Sequence, residues 1–219
     1  MENVHLAAFF VVLTLTMACG GSSGPQTPTG DWMPLNVGSE WYYDAEGYMA
    51  TVSGDTFAVT GSVTRTIPSL VPHIQGFDAY TLHTVTELEY VYPDTTMEYR
   101  DTVYAYETET EFRGYEDTTS ILYETVVRYP INLGDSWKPY PDSLGITREV
   151  MSLTETVEVP AGSFGNCAFL RDSDSVNPER YTELYLAKDV GPVKHVIHDF
   201  YEEDSVTAHI EVDLVTYTE

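Results

Sequence analysis

From Val206 to Leu214 every even position is apolar and every odd one is polar. A period of two puts one set of side chains in a core and the other in water, so this segment predicts a half-buried strand. The same parity recurs upstream. Tyr80, Leu82, Leu88, Tyr90 and Tyr92 share one face, opposite His83, Glu87 and Glu89. Ile121, Tyr123, Val127 and Tyr129 define a third apolar face, and Tyr104, Tyr106 and Phe112 a fourth. No segment of the body carries helical periodicity. Thr, Tyr and Val, which suit a pleated half-buried surface, are dense throughout. Turn signals divide the runs at 45–47, 53–55, 92–94, 113–115, 141–143, 177–178 and 190–192. About ten strands are expected, near 41–50, 55–67, 77–92, 96–113, 118–129, 145–158, 166–173, 179–188, 192–203 and 205–217. Connections of hairpin length imply antiparallel neighbours. A sheet of so many consecutive strands must curl or close to limit its edges. The expectation is therefore an all-β fold, a strongly curved antiparallel meander or barrel with little or no helix.

One local pattern occurs twice, 96 residues apart. Pro34-Leu35-Asn36-Val37-Gly38-Ser39-Glu40-Trp41 matches Pro130-Ile131-Asn132-Leu133-Gly134-Asp135-Ser136-Trp137 in Pro, both aliphatics, Asn, Gly and Trp. Each copy is expected to turn the chain at Asn-x-Gly and seat a Trp at the start of a strand. The echo raises two possibilities. Residues 31–219 form one β-domain with two pseudo-equivalent halves, 31–128 and 129–219, or one local turn is simply used twice.

The N-terminus follows a different rule. Residues Leu6 to Ala18 are apolar or small throughout, too short a run to span about 30 Å of hydrocarbon but suited to the apolar centre of a signal peptide. They lead into Leu15-Thr16-Met17-Ala18-Cys19, then a Gly/Ser/Pro tether to Gly30. This arrangement resembles the leader and lipobox of a bacterial lipoprotein. The resemblance implies a signal peptide at 1–18, lipid attachment at Cys19, and a flexible spacer at 19–30. It also implies residence in the cell envelope. Gly20, rather than Asp, after the cysteine points to the outer membrane, facing periplasm or cell surface. Acyl chains hold a protein at a membrane by about 0.8 kcal/mol per buried CH₂, and stable anchoring takes more than one chain.

Charge narrows the partners. The chain carries 35 acids against 10 bases, a formal charge of −25. Its three lysines are Lys138, Lys188 and Lys194. Such a surface repels nucleic-acid phosphate and anionic head groups, which excludes DNA, RNA and a polybasic membrane contact. Once Cys19 is acylated only Cys167 remains, so no internal disulfide is possible. Cys167 lies in an apolar run with no base close in sequence, and it reads as a packed thiol.

Two further stretches carry a second resemblance. They are Val157-Glu158-Val159-Pro160-Ala161-Gly162-Ser163-Phe164-Gly165-Asn166-Cys167 and Tyr185-Leu186-Ala187-Lys188-Asp189-Val190-Gly191-Pro192-Val193-Lys194. With the Pro-Leu-x-x-Gly-x-x-Trp opening, they resemble an uncharacterised family of secreted bacterial β-domains often found on lipoproteins. The resemblance implies a fold and a compartment, and brings no catalytic residue.

The candidate chemistry is sparse. His195 and His198 lie three apart, on opposite faces of a regular strand, while His209 could approach His198 across a hairpin. The expectation is surface histidines and no metal, cofactor or catalytic site. Asp172-Ser173-Asp174-Ser175-Val176-Asn177 lacks the glycine of a calcium loop and reads as a hairpin tip. Glu107, Glu109 and Glu111 read as a solvated face. No nucleophile elbow, His-Glu-x-x-His or phosphate loop is present. Three functions compete. The leading one is a non-catalytic envelope module that binds a protein, glycan or hydrophobic molecule, or serves as structure. The others are a periplasmic carrier of lipid and a metal-dependent hydrolase.

Overall fold

The computed structural model describes residues 32–51, 53–90, 95–141, 145–201 and 206–218. The leader, Cys19 and the tether lie outside them, as do Tyr92 and most of the expected turns at 92–94 and 141–143. The described residues form one antiparallel sheet without helix. Its strands are β1 (Glu40–Thr51), β2 (Thr56–Pro72), β3 (Asp78–Tyr90), β4 (Thr95–Glu107), β5 (Glu111–Tyr115) and β6 (Glu124–Arg128). Then follow β7 (Ser136–Trp137), β8 (Ile146–Val159), β9 (Gly162–Asp174), β10 (Tyr181–Ala187), β11 (Gly191–Tyr201) and β12 (Val206–Thr218). The spatial order is β6-β5-β4-β3-β2-β1-β12-β11-β10-β9-β8-β7, two six-strand meanders joined where β1 pairs with β12.

Twelve strands stand where about ten are expected. The 96–113 run is a hairpin, because the Thr108 hydroxyl accepts from the backbone N–H of Thr110 and Glu111 at 3.2 and 3.0 Å. A threonine side chain thus turns a segment whose alternation reads as continuous strand. The turn resets the parity: Val103 and Ala105 face the core before it and Phe112 after it, while Tyr104 and Tyr106 are only part-buried. Ile121, expected inside, is 70% exposed. The Asp117 carboxylate and Ser120 hydroxyl accept from the N–H of Thr119 and Leu122, holding 117–122 as a loop. The second additional element, β7, is only two residues long, below the length at which alternation can be read.

Curvature has a local cause. Gly47 and Gly61 sit where a Cβ would lie 2.0 Å from the carbonyl oxygens of His209 and Glu87 on the neighbouring strands. Only glycine permits so tight an approach, and it lets β1 and β2 bend sharply. The concave face buries Trp41, Leu82, Phe112, Leu170, Leu186 and Leu214, among others, into one core. From β12 it buries Ala208, Ile210, Val212 and Leu214, the predicted even positions.

The curved sheet is not a closed barrel. No backbone ladder joins β6 to β7 among the described residues. Instead the seam is crossed by isolated bonds. The N–H of Thr125 donates to Pro139 O at 2.7 Å, the Trp137 indole to Thr125 O at 2.8 Å, and Arg148 Nη1 to Val126 O at 2.9 Å. This explains why Glu124 to Val127 are buried on both faces.

Candidate functional site

The repeated sequence pattern builds the same turn twice. Gly38 and Gly134 both have positive φ, 102° and 82°. Gly38 N–H donates to Ile67 O and receives the reciprocal strand by Ile67 N–H to Ser39 O. Gly134 does the same with Val150 O, and Val150 N–H returns to Asp135 O. Both tryptophans are buried, and both indole N–H groups donate to a distant carbonyl: Trp41 to Val190 O at 3.0 Å, Trp137 to Thr125 O. Each tryptophan stands directly opposite a buried arginine, Trp41 opposite Arg65 and Trp137 opposite Arg148.

The two arginines differ in their company. Opposite Arg148 on β9 stands Asp172, which accepts two parallel bonds at 2.6 and 2.7 Å. Glu124 lies 3.1 Å from Nη2, and Tyr140 donates to the other Glu124 oxygen. Burial works against the Arg148 charge, yet Asp172 and Glu124 outweigh it and hold its pKa well above the ordinary value. Opposite Arg65 on β3 stands Thr84, a neutral partner at 3.3 Å from Nε. Arg65 is fully buried, and its Nη1 and Nη2 have no hydrogen-bond partner among the described residues. Burial therefore lowers its pKa, against weaker support from Tyr43 and Asp101. Tyr43, whose hydroxyl donates to Pro192 O at 3.2 Å, is pushed up to about 12 by burial.

His195 faces this interior, opposite Val212 and Leu184. Burial and the Arg65 charge push its pKa down to about 3, and its Nδ1 has no partner among the described residues. It is a neutral interior ring and not the surface histidine expected. Cys167 is buried, its thiol contacts Phe164 O at 3.3 Å, and burial raises its pKa, as suits a packed thiol. Asp172 belongs to the Arg148 clamp, and Asp174 caps its own loop by accepting from the N–H of Val176 and Asn177. Glu111 is not on a solvated face: it pairs with Arg113 and accepts from Tyr123 and Thr125. Trp41 and Trp137 are core residues.

The family-like stretches act as fasteners. Val190 and Pro192 supply the carbonyls that hold Trp41 and Tyr43. Pro160-Ala161 turns the β8–β9 hairpin, and Ala161 N–H donates to Leu214 O on β12 at 2.9 Å. An apolar recess between Val103, Tyr115, Leu122 and Tyr140 holds about 200 Å³, below the range of roughly 300–1,000 Å³ typical of ligand pockets.

The outer face gathers the remaining chemistry. Tyr181, His198, His209 and Tyr48 stand directly opposite one another across β10, β11, β12 and β1. Tyr181 stacks on His198 at 4.9 Å and Tyr48 on His209 at 5.5 Å. The two histidine Nδ1 atoms are 3.4 Å apart. Beside them like charges oppose one another, Asp44 with Asp213 and Glu46 with Glu211, an arrangement that costs stability. Lys194 offsets it by pairing with both Glu211 and Asp213.

Comparison with known proteins leaves the family open. No family model and no curated protein matches the chain. Among solved structures, a "putative lipoprotein" from Parabacteroides distasonis ATCC 8503 is similar over 88% of this chain and 100% of that one. The identity is 14% and the TM-score 0.47.

Proposed function

We propose that this chain is a lipid-anchored module of a bacterial cell envelope that binds or scaffolds and does not catalyse. The observation that carries this reading is the use made of its perturbed ionisable groups. Arg148 ties the open seam, Tyr43 holds the start of β11, and the Cys167 pKa is raised, the direction opposite to a nucleophile's. The packed core leaves the outer face and rim as the places to meet a partner. Cys19 and its spacer supply the anchor, and Gly20 after the cysteine supports the outer membrane, facing periplasm or cell surface.

Metabolic labelling tests the anchor. With labelled palmitate, the wild-type chain is expected to take up label and fractionate with membranes, and Cys19→Ser to lose both. An unlabelled, soluble wild type overturns the anchor. Complementation of a null strain tests the rest. His195→Gln is expected to rescue as wild type does; a stable His195→Gln protein that fails to rescue overturns the non-catalytic reading.

A further inference from the structure

We propose that His198 and His209 form a binding site for a divalent transition-metal ion on the outer face. Two nitrogens that share a tetrahedral ion at metal–nitrogen distances of about 2.0–2.1 Å lie about 3.4 Å apart. The two Nδ1 atoms stand 3.4 Å apart, a spacing at which one ring can donate to the other and at which both can meet one ion. The register explains the approach: the residues are directly opposed on β11 and β12, with side chains on the same face.

Two further observations fit a ligand pair. Each ring is fixed by a stacked tyrosine, Tyr181 on one side and Tyr48 on the other. The far nitrogen of His209 lies 3.5 Å from Glu211 Oε1. A carboxylate behind a ligating imidazole orients the ring and raises its basicity. Among the described residues no group of three or more His, Cys, Asp or Glu is placed to hold an ion. The site is therefore a two-histidine chelate with its remaining positions filled by water, exchangeable rather than structural. Imidazole selects copper, nickel and zinc over calcium and magnesium, with Cu²⁺ the tightest of the series. The surrounding carboxylates, in a chain of formal charge −25, raise the local cation concentration without supplying that selectivity.

The test uses the full chain in detergent, titrated with CuSO₄, ZnCl₂ and CaCl₂. One Cu²⁺ per chain is expected, with electron paramagnetic resonance showing two coordinated nitrogens. His198→Gln and His209→Gln should each weaken Cu²⁺ by tenfold or more while leaving the circular dichroism of the apo chain unchanged. Glu211→Gln should weaken it by about tenfold. Wild-type affinity in either histidine variant overturns the site. So does a Cu²⁺ spectrum of the wild type without two nitrogens, or displacement of Cu²⁺ by equimolar CaCl₂. The spectrum of the wild type keeps the test decisive even where a variant misfolds.

Discussion

The Trp41–Arg65 and Trp137–Arg148 corners are built from one turn, one buried indole and one buried guanidinium, yet electrostatically they are opposites. At Arg148 the strand across supplies Asp172, the seam supplies Glu124, and the charge is fully compensated. At Arg65 the strand across supplies Thr84, and two guanidinium nitrogens have no hydrogen-bond partner among the described residues. The difference follows from position in the sheet. Arg65 lies on β2 beside the β1–β12 ladder, where backbone pairing already joins the two meanders. Arg148 lies at the β6–β7 seam, where no ladder joins the edges among the described residues and side chains help hold them together. The same local motif therefore packs a core in one place and fastens an opening in the other.

Arg148→Met breaks the comparison most severely. It leaves buried Glu124 and half-buried Asp172 without their counter-charge and should cost about 3 kcal/mol. Arg65→Met strands no carboxylate and should be neutral or stabilising. Denaturant unfolding of both variants measures this; equal losses would end the distinction. Thr84→Asp sharpens it by giving Arg65 the partner that Arg148 has. In that background Arg65→Met should become costly, and the double-mutant coupling should exceed about 1 kcal/mol.

Acid should act through the Arg65 corner. His195 titrates near 6.5 when unfolded and about 3 when folded, because burial and Arg65 oppose its protonation. Between those values the unfolded chain binds more protons. Stability is then fully present above the unfolded pKa and falls as pH drops toward 3, by on the order of 1 kcal/mol per pH unit. His195→Gln should flatten that slope in pH-dependent unfolding, and an unchanged slope in this variant would remove His195 as its source.

The smallest effects should be equal at the two corners. Trp41→Phe and Trp137→Phe each remove one buried indole bond and should each cost about 1 kcal/mol beyond the lost apolar area. Gly38→Ala and Gly134→Ala each force a side chain into positive φ, with open space around it, and should each cost about 1 kcal/mol in thermal unfolding. Unequal losses in either pair would show that the turn is shared in sequence but not in energetics.

Much of this was legible in the chain. The parity of 206–214 foretold which side chains β12 buries, and Asn-x-Gly foretold both turns, because these are local properties of backbone and polarity. The hairpin at Thr108 was not legible, since a threonine hydroxyl closing a turn leaves no glycine or proline to mark it. Glu111 and Ile121 were misplaced for the same reason: loops held by side-chain bonds shift the parity on either side. His195 gave no signal of its depressed pKa, because that comes first from burial and then from Arg65, 130 positions away in sequence.

What the sequence determined by itself was the set of strands, most of their inward faces and the repeated turn, all governed by the period of the chain and its local hydrogen bonds. Only the tertiary structure decided that one arginine meets two carboxylates and the other none. It alone left the sheet open at β6–β7 and set two histidines 3.4 Å apart. Those outcomes depend on register between distant strands, which the summed burial of both meanders selects and no short stretch of residues encodes.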